Sequence, residues 1–288
     1  MNDSKIPPTV IDDAGIILEN DALIFFNFRE DSMRQLAEAF VNKDFNIFQK
    51  KELNNLYIAS LTRYIESPNL HVAFPIPEIK NGLAEVLSNN NKKQYHVAET
   101  EKYAHVTYFF NCLKNVPLDG ETDFLSESLK NPLENPEMKA DDITEKVLSE
   151  LDRYDFFVIN FANADTLSHF GNLEVAVKGI EAIDKAMGKI KSAVLERSGV
   201  MIITADHGNA ESLTYKSSGE SETKHNDNPV TFYLVGKEFE RRRSDNDIES
   251  TMKQASGLLA DVAPTILELM GIEKPVEMTG ESLLRLLQ

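Results

Sequence analysis

Three short polar clusters follow or precede apolar runs, and each sets a histidine near a carboxylate. Phe156 to Phe161 leads into Ala162-Asn163-Ala164-Asp165-Thr166-Leu167-Ser168-His169. Asp165 and His169 are four residues apart, so a helical turn puts carboxylate and imidazole on one face. Val200 to Ala205 leads into Asp206-His207-Gly208-Asn209-Ala210-Glu211. Adjacent Asp and His at a strand end can splay toward neighbouring metal positions, and Gly208 lets the backbone turn. The third cluster, Thr223-Lys224-His225-Asn226-Asp227, lies just before another apolar run. Each piece alone has a bland reading, as a helix-surface pair or a loop residue. Together they place half of the six histidines where open α/β sheets gather their ligands. Carboxylate oxygen mixed with imidazole suits Mn²⁺ or Zn²⁺, and two such ions a few Å apart would suit phosphoryl transfer.

The other candidates are cations. Arg29 follows the apolar run from Ala22 to Phe28, and Arg34 falls on the helix expected after it. An arginine fork grips phosphate or carboxylate, although a pair of surface arginines is the plainer reading. Lys102 stands in Glu99-Thr100-Glu101-Lys102-Tyr103-Ala104-His105, where a solvated salt-bridge loop is the plainer alternative. No Gly-x-x-x-x-Gly-Lys phosphate loop is present.

The elements that must position these groups read as α/β, with a mostly parallel sheet sandwiched by helices. Candidate strands are residues 22–28, 94–98, 106–110, 156–161, 200–205 and 231–235, apolar enough to be covered on both faces. Leu173, Val177, Ile180, Ile183, Met187, Ile190 and Val194 recur at helical spacing after Asn172 and predict a long helix. A second helix is expected from about Thr251 to Met270, with Leu258, Val262, Ile266, Leu269 and Met270 inward. Two prolines within His71 to Pro77 favour an extended hinge between two domains. Residues 127–142 read as a polar surface excursion.

Composition narrows the function classes. The chain of 288 residues carries 30 Lys and Arg against 47 Asp and Glu, a net charge of −17, which disfavours a nucleic-acid binder. Cys112 is the single cysteine, so internal disulfides and thiolate-rich zinc sites are excluded. Any metal must be held by Asp, Glu and His. No run approaches the ~18 apolar residues of a membrane span, and the N-terminus shows no secretory signal, so the expected compartment is the cytoplasm.

The chain resembles the cofactor-independent (2,3-bisphosphoglycerate-independent) phosphoglycerate mutases of the alkaline phosphatase superfamily. The resemblance runs over nearly the whole chain and is carried by Ala22 to Arg29, His71 to Pro75, Ala98 to Asn111, Asn160 to His169, Ile203 to Glu211 and Asp261 to Gly271. It implies an alkaline phosphatase-like metal-binding domain over residues 76–288, lacking its first strand. Before it, residues 1–75 would be the remnant of a substrate-binding transferase domain, a partial second α/β domain. It implies two Mn²⁺ ions, with Zn²⁺ or Co²⁺ as alternatives. Asp165, His169 and His225 match the ligands of the first ion, and Asp206 and His207 match two ligands of the second. Arg29 and Lys102 match substrate-gripping positions, and the implied reaction converts 3-phosphoglycerate to 2-phosphoglycerate in glycolysis and gluconeogenesis.

The departures from the family pattern are equally specific. The family's nucleophilic Ser and one Asp ligand come from the beginning of its longer chain and have no counterpart here, so the second metal site is incomplete. Ser168, inside the Asp165–His169 turn, is a hydroxyl to weigh as a substitute. Ser32 stands where the family has a second phosphate-binding Arg, for which Arg34 is a candidate replacement, and Cys112-Leu113 replaces a usual Gly-Gly. The resemblance therefore leaves three readings: the C-terminal part of a mutase completed by a separate N-terminal half chain, a catalytically inactive metal-binding fragment or interaction partner, and a metal-dependent phosphohydrolase. Loss of a strand is expected to expose an apolar edge, a seat for a partner or for aggregation.

Overall fold

The computed structural model describes residues 7, 9–30, 33–75, 78–214, 219, 222–252 and 254–287. Ser32 and the hinge residues Ile76 and Pro77 lie outside them. The chain divides into two compact units, residues 1–78 and 79–288.

In the first unit, β1 (Ala22–Phe25), β2 (Tyr57–Ser60) and β3 (His71–Val72) form a parallel sheet in the order β1-β2-β3. Helix α1 (Arg34–Val41) connects β1 to β2. Ala37 and Val41 of α1 pack with Ile58, Tyr64 and Leu70, against Leu23 and Phe25. The strand expected over residues 22–28 ends at Phe25. Its chain turns because the Asn27 side chain accepts a hydrogen bond from Arg29 N at 2.8 Å, and the Tyr64 hydroxyl donates to the Phe25 and Asn27 carbonyls. Ile24, Phe26 and Phe28 remain exposed, so this run is covered on one face within its unit rather than on two.

The second unit centres on β4 (Gln94–Glu99), which pairs in parallel with β5 (Glu121–Ser126) and β6 (Phe156–Ile159). Every residue of β4 is buried. Its side chains alternate between two helical layers, as the pleat requires. Tyr95 and Val97 join Ile143 and Val147 of α4 (Ala140–Glu150) and Ile190 of α6 (Leu173–Glu196). Gln94 and His96 face the other layer: Gln94 donates to Ala84 O in α2 (Leu83–Asn89) at 2.8 Å, and His96 meets Phe110 edge-on. That layer also holds α8 (Val262–Leu269) through Leu267. The mostly parallel α/β sandwich expected from the apolar runs is therefore present. Helices α3 (Thr100–Val106), α5 (Asn163–Ser168), α7 (Asp245–Met252) and α9 (Leu284–Leu287) complete the described α-helices.

Several local expectations are corrected. Residues 106–110 are not a strand but the end of α3 and a run of turns, in which Phe109 N bonds to Ala104 O at 2.9 Å and Asn111 N to Thr107 O at 2.7 Å. Aromatic and β-branched composition signals burial here, not extension. The last strand, β8 (Tyr233–Val235), pairs antiparallel with β7 (Met201–Ile203). The helix expected from residue 251 to 270 is split into α7, a 3₁₀ turn at Leu259–Asp261 and α8, and Leu258 is exposed. Asp261 caps the start of the 3₁₀ turn by accepting from Leu258 N at 2.8 Å. In α6, capped by the Asn172 side chain on Val175 N, the buried face is Ala176, Gly179, Ala186 and Ile190, while Leu173, Val177 and Ile180 are exposed. The small residues face inward because α5 crowds them: a Cβ on Gly179 would lie 2.3 Å from Leu167 Cδ1. Among the described residues, no helix is long and apolar enough to cross a membrane.

Candidate metal centre

Asp165 and His169 sit at α5, which starts four residues after β6 ends. The buried Asn163 anchors this short helix by donating to Pro136 O at 2.8 Å and Glu137 O at 2.9 Å. His225 arrives on a distant loop. An isolated antiparallel bridge between Gly208 and Asn226 brings that loop beside the end of β7, with Asn226 N on Gly208 O at 3.0 Å. Gly208 is required for this approach, since a Cβ there would lie 2.0 Å from Asn226 Oδ1. The bridge stacks the His207 ring on His225, with centroids 3.7 Å apart.

The result is a converging set of donors. His169 Nε2 lies 3.2 Å from Asp165 Oδ1, His225 Nε2 lies 3.0 Å from the same oxygen, and the two Nε2 atoms are 3.0 Å apart. Edges of this length match those of a coordination shell with bonds of about 2.1 Å, which are roughly 3.0–3.4 Å. His169 Nδ1 lies 2.7 Å from Thr223 O. A carbonyl can only accept, so Nδ1 carries a hydrogen, which leaves Nε2, on the side of Asp165 and His225, as the atom able to ligate an ion. The donors thus fit a divalent ion in geometry and in chemistry.

Asp165 is prepared for that role. Its Oδ2 accepts from Lys102 Nζ at 2.5 Å and its Oδ1 from Asn209 Nδ2 at 2.8 Å. Burial works to raise its pKa, but the bonds from Lys102 and Asn209 and the Lys102 charge prevail, and it falls to about 2. Lys102, expected to grip substrate, is thereby engaged with the carboxylate. Asp206 and His207 are close to each other, His207 Nε2 lying 3.4 Å from Asp206 Oδ2. Among the described residues they join no group of three ligands. Asp206 is largely exposed.

Sequence reasoning left several participants unassigned. Asn209 reaches Asp165, and Glu211 accepts from Asn209 N and from Asn228 Nδ2, each at 2.8 Å, which stiffens the loop after β7. His105 lies close enough to be influenced by Lys102, Asp165, Asp206 and His207. Burial first, and then the Lys102 charge, push its pKa down. A polar run directly after an apolar strand hinted at Asn209 and Glu211, whereas nothing in sequence singled out Thr223, which acts through its backbone. Ser168 is fully buried and donates to Ala164 O at 2.6 Å, so its hydroxyl turns back into α5. Arg29 is exposed in the first unit, and Arg34 there pairs with Glu30 at 2.8 Å.

Comparison with known proteins bears on this centre. Residues 9–274 match the family model described as the Metalloenzyme superfamily. A 2,3-bisphosphoglycerate-independent phosphoglycerate mutase of Clostridioides difficile is 44% identical over 98% of this chain and 55% of its own length. One from Methanosarcina barkeri is likewise 44% identical over 98% and 54%. A solved Leishmania mexicana phosphoglycerate mutase, studied at low cobalt concentration, superposes with a TM-score of 0.76 at 29% identity, covering 93% of this chain and 51% of that one. The chain spans about half the length of the curated relatives it matches.

Proposed function

Given that the chain belongs to the Metalloenzyme superfamily, we propose that it supplies the metal-holding part of a 2,3-bisphosphoglycerate-independent phosphoglycerate mutase, acting on phosphoglycerate. The observation that supports this reading most directly is the convergence of Asp165 Oδ1, His169 Nε2 and His225 Nε2. On this reading Asp165, His169 and His225 hold one Mn²⁺, and Asp206 and His207 contribute to a second. Zn²⁺ and Co²⁺ are compatible with the same donors. Bound there, a divalent ion neutralises the charge that develops during phosphoryl transfer.

The chain's own residues do the rest. Lys102 and Asn209 keep Asp165 ionised and oriented, Thr223 O fixes the His169 tautomer, and the His207–His225 stack sets the second imidazole. Arg29 offers a fork for a phosphate or carboxylate. Residues 1–75 act as part of the substrate-binding domain and residues 76–288 as the metal-binding domain. The nucleophilic Ser comes from the part of the relatives' length that this chain does not span, in a completing N-terminal half. Ser168 is not that nucleophile, because its hydroxyl is buried and committed to Ala164 O. A cytoplasmic location accords with a glycolytic role.

The test is reconstitution. The chain is mixed with an N-terminal half from a relative, loaded with Mn²⁺ and assayed for conversion of 3-phosphoglycerate to 2-phosphoglycerate. Turnover that requires both parts and disappears in His169→Ala is expected. A folded, metal-loaded complex that releases inorganic phosphate instead marks a phosphohydrolase, and one with no turnover marks a chain that holds metal without catalysis. Either outcome overturns the mutase reading.

A further inference from the structure

A second cluster of ligand-type side chains lies inside the sheet of the larger unit. His96 on β4 sits opposite Asp123 on β5 in the parallel register, and Glu121, two residues before Asp123, is on the same face. His96 is fully buried, and the Asp123 side chain is nearly so. His96 Nδ1 lies 3.2 Å from Glu121 Oε1 and 3.7 Å from Asp123 Oδ1. Both are ion-pair distances, and His96 Nδ1, His96 Nε2 and Asp123 Oδ1 have no well-formed hydrogen bond. Buried polar atoms are almost always satisfied, so Nδ1 and Asp123 Oδ1, both lacking a partner and facing each other beside Glu121 Oε1, mark a place for a group that the protein chain does not itself supply.

The chemistry of the cluster indicates which group. Two carboxylates and an imidazole, gathered within 4.8 Å of one another, form a donor set for a divalent transition ion. The separations of 3.2 and 3.7 Å bracket the edge of about 3.4 Å expected for tetrahedral ligands at roughly 2.1 Å. Glu121 is already oriented from behind: Asn111 Nδ2 donates to its Oε1 at 2.6 Å and Leu118 N to its Oε2 at 2.7 Å. Such outer bonds hold a ligating carboxylate in place.

We propose that His96, Glu121 and Asp123 hold a structural divalent ion of the Zn²⁺ type, separate from the Asp165–His169–His225 centre, that ties β4 to β5. The ion crosslinks the strand leading into α3, the helix that carries Lys102.

The test counts retained metal. The full chain is loaded with Zn²⁺, desalted and analysed by mass spectrometry of the metal, as the parent and as His169→Ala/His207→Ala/His225→Ala. The triple variant is expected to keep about one equivalent, lost when Asp123→Asn is added. With Co²⁺ in place of Zn²⁺, it should show the visible absorption of a tetrahedral site, abolished by Glu121→Gln. Should the triple variant fail the circular-dichroism check for folding, Asp123→Asn in the otherwise unchanged chain decides the matter, with one equivalent fewer than the parent expected. No zinc in a folded triple variant, or a count unchanged by Asp123→Asn, overturns the proposal, leaving His96 as a buried imidazole between two acids.

Discussion

Lys102 and Asp165 are joined at 2.5 Å through Oδ2, the carboxylate oxygen turned away from the two imidazoles that face Oδ1. One lysine therefore places a positive charge against a carboxylate that is also set to hold a cation. The two demands oppose each other, since a like charge a few Å from a bound ion lowers its affinity. Lys102→Met is expected to bind Mn²⁺ about tenfold more tightly while losing affinity for phosphate monoesters. Calorimetric titration with each ligand checks both halves of this prediction, and weaker Mn²⁺ binding would show that orientation of Asp165 outweighs repulsion.

Gly208 is tested by the smallest possible addition. A Cβ there would meet Asn226 Oδ1 at 2.0 Å and Glu211 Oε1 at 2.6 Å. Gly208→Ala is expected to open the bridge that stacks His207 on His225 and to weaken metal binding by about tenfold or more. The packed layers around β4 lie elsewhere, so the Tm of the metal-free chain should shift little.

Cys112 and Leu113 both adopt left-handed backbone conformations, with φ of 56° and 69°. Neither residue is glycine, so the turn carries the Cβ penalty of about 1–2 kcal/mol per residue. Leu113→Gly should recover a net ~0.5–1 kcal/mol after the entropy cost of glycine in the unfolded chain. A rise in the denaturant midpoint without a change in slope would be the signature.

Glu85 tests the electrostatics of α2. It accepts from Lys114 Nζ at 2.8 Å and from Asn81 N at 2.7 Å, and the Lys114 bond is the largest influence holding its pKa below the usual carboxylate range. A lowered folded-state pKa means that the stabilisation is present above the unfolded value and is lost as pH falls through the folded one. Glu85→Gln should therefore destabilise by about 0.5–1 kcal/mol at pH 7, a modest figure because the pair is partly exposed. The difference should vanish in acid. Urea titrations of both proteins at pH 7 and pH 3 give the comparison.

The sequence shows the fold most clearly where burial and extension coincide. The runs around Val97, Val158 and Ile202 are strands, and Asn172 caps the long helix that its apolar spacing predicts. The same signals mislead where burial comes without extension, as at Phe110, which reaches the core from a turn. They also miss β5, whose opening Glu121-Thr122-Asp123 is polar, because the partners that make it internal lie on β4. The candidate metal ligands were legible because Asp, His and Gly cluster at strand ends. Thr223 and Asn226 were not, since their role depends on a loop contact that no local pattern encodes.

The donors of the candidate metal centre come from two distant parts of the chain, His169 and His225 being 56 residues apart in sequence. Mechanically, an ion shared between them is a clasp. In a single-molecule pulling experiment, the intervening stretch would be shielded from the load until the coordination bonds ruptured. Its release would then lengthen the tether in one step of up to about 200 Å, at roughly 3.6 Å per residue. With chelator present, the same length should pay out at lower force, without that step.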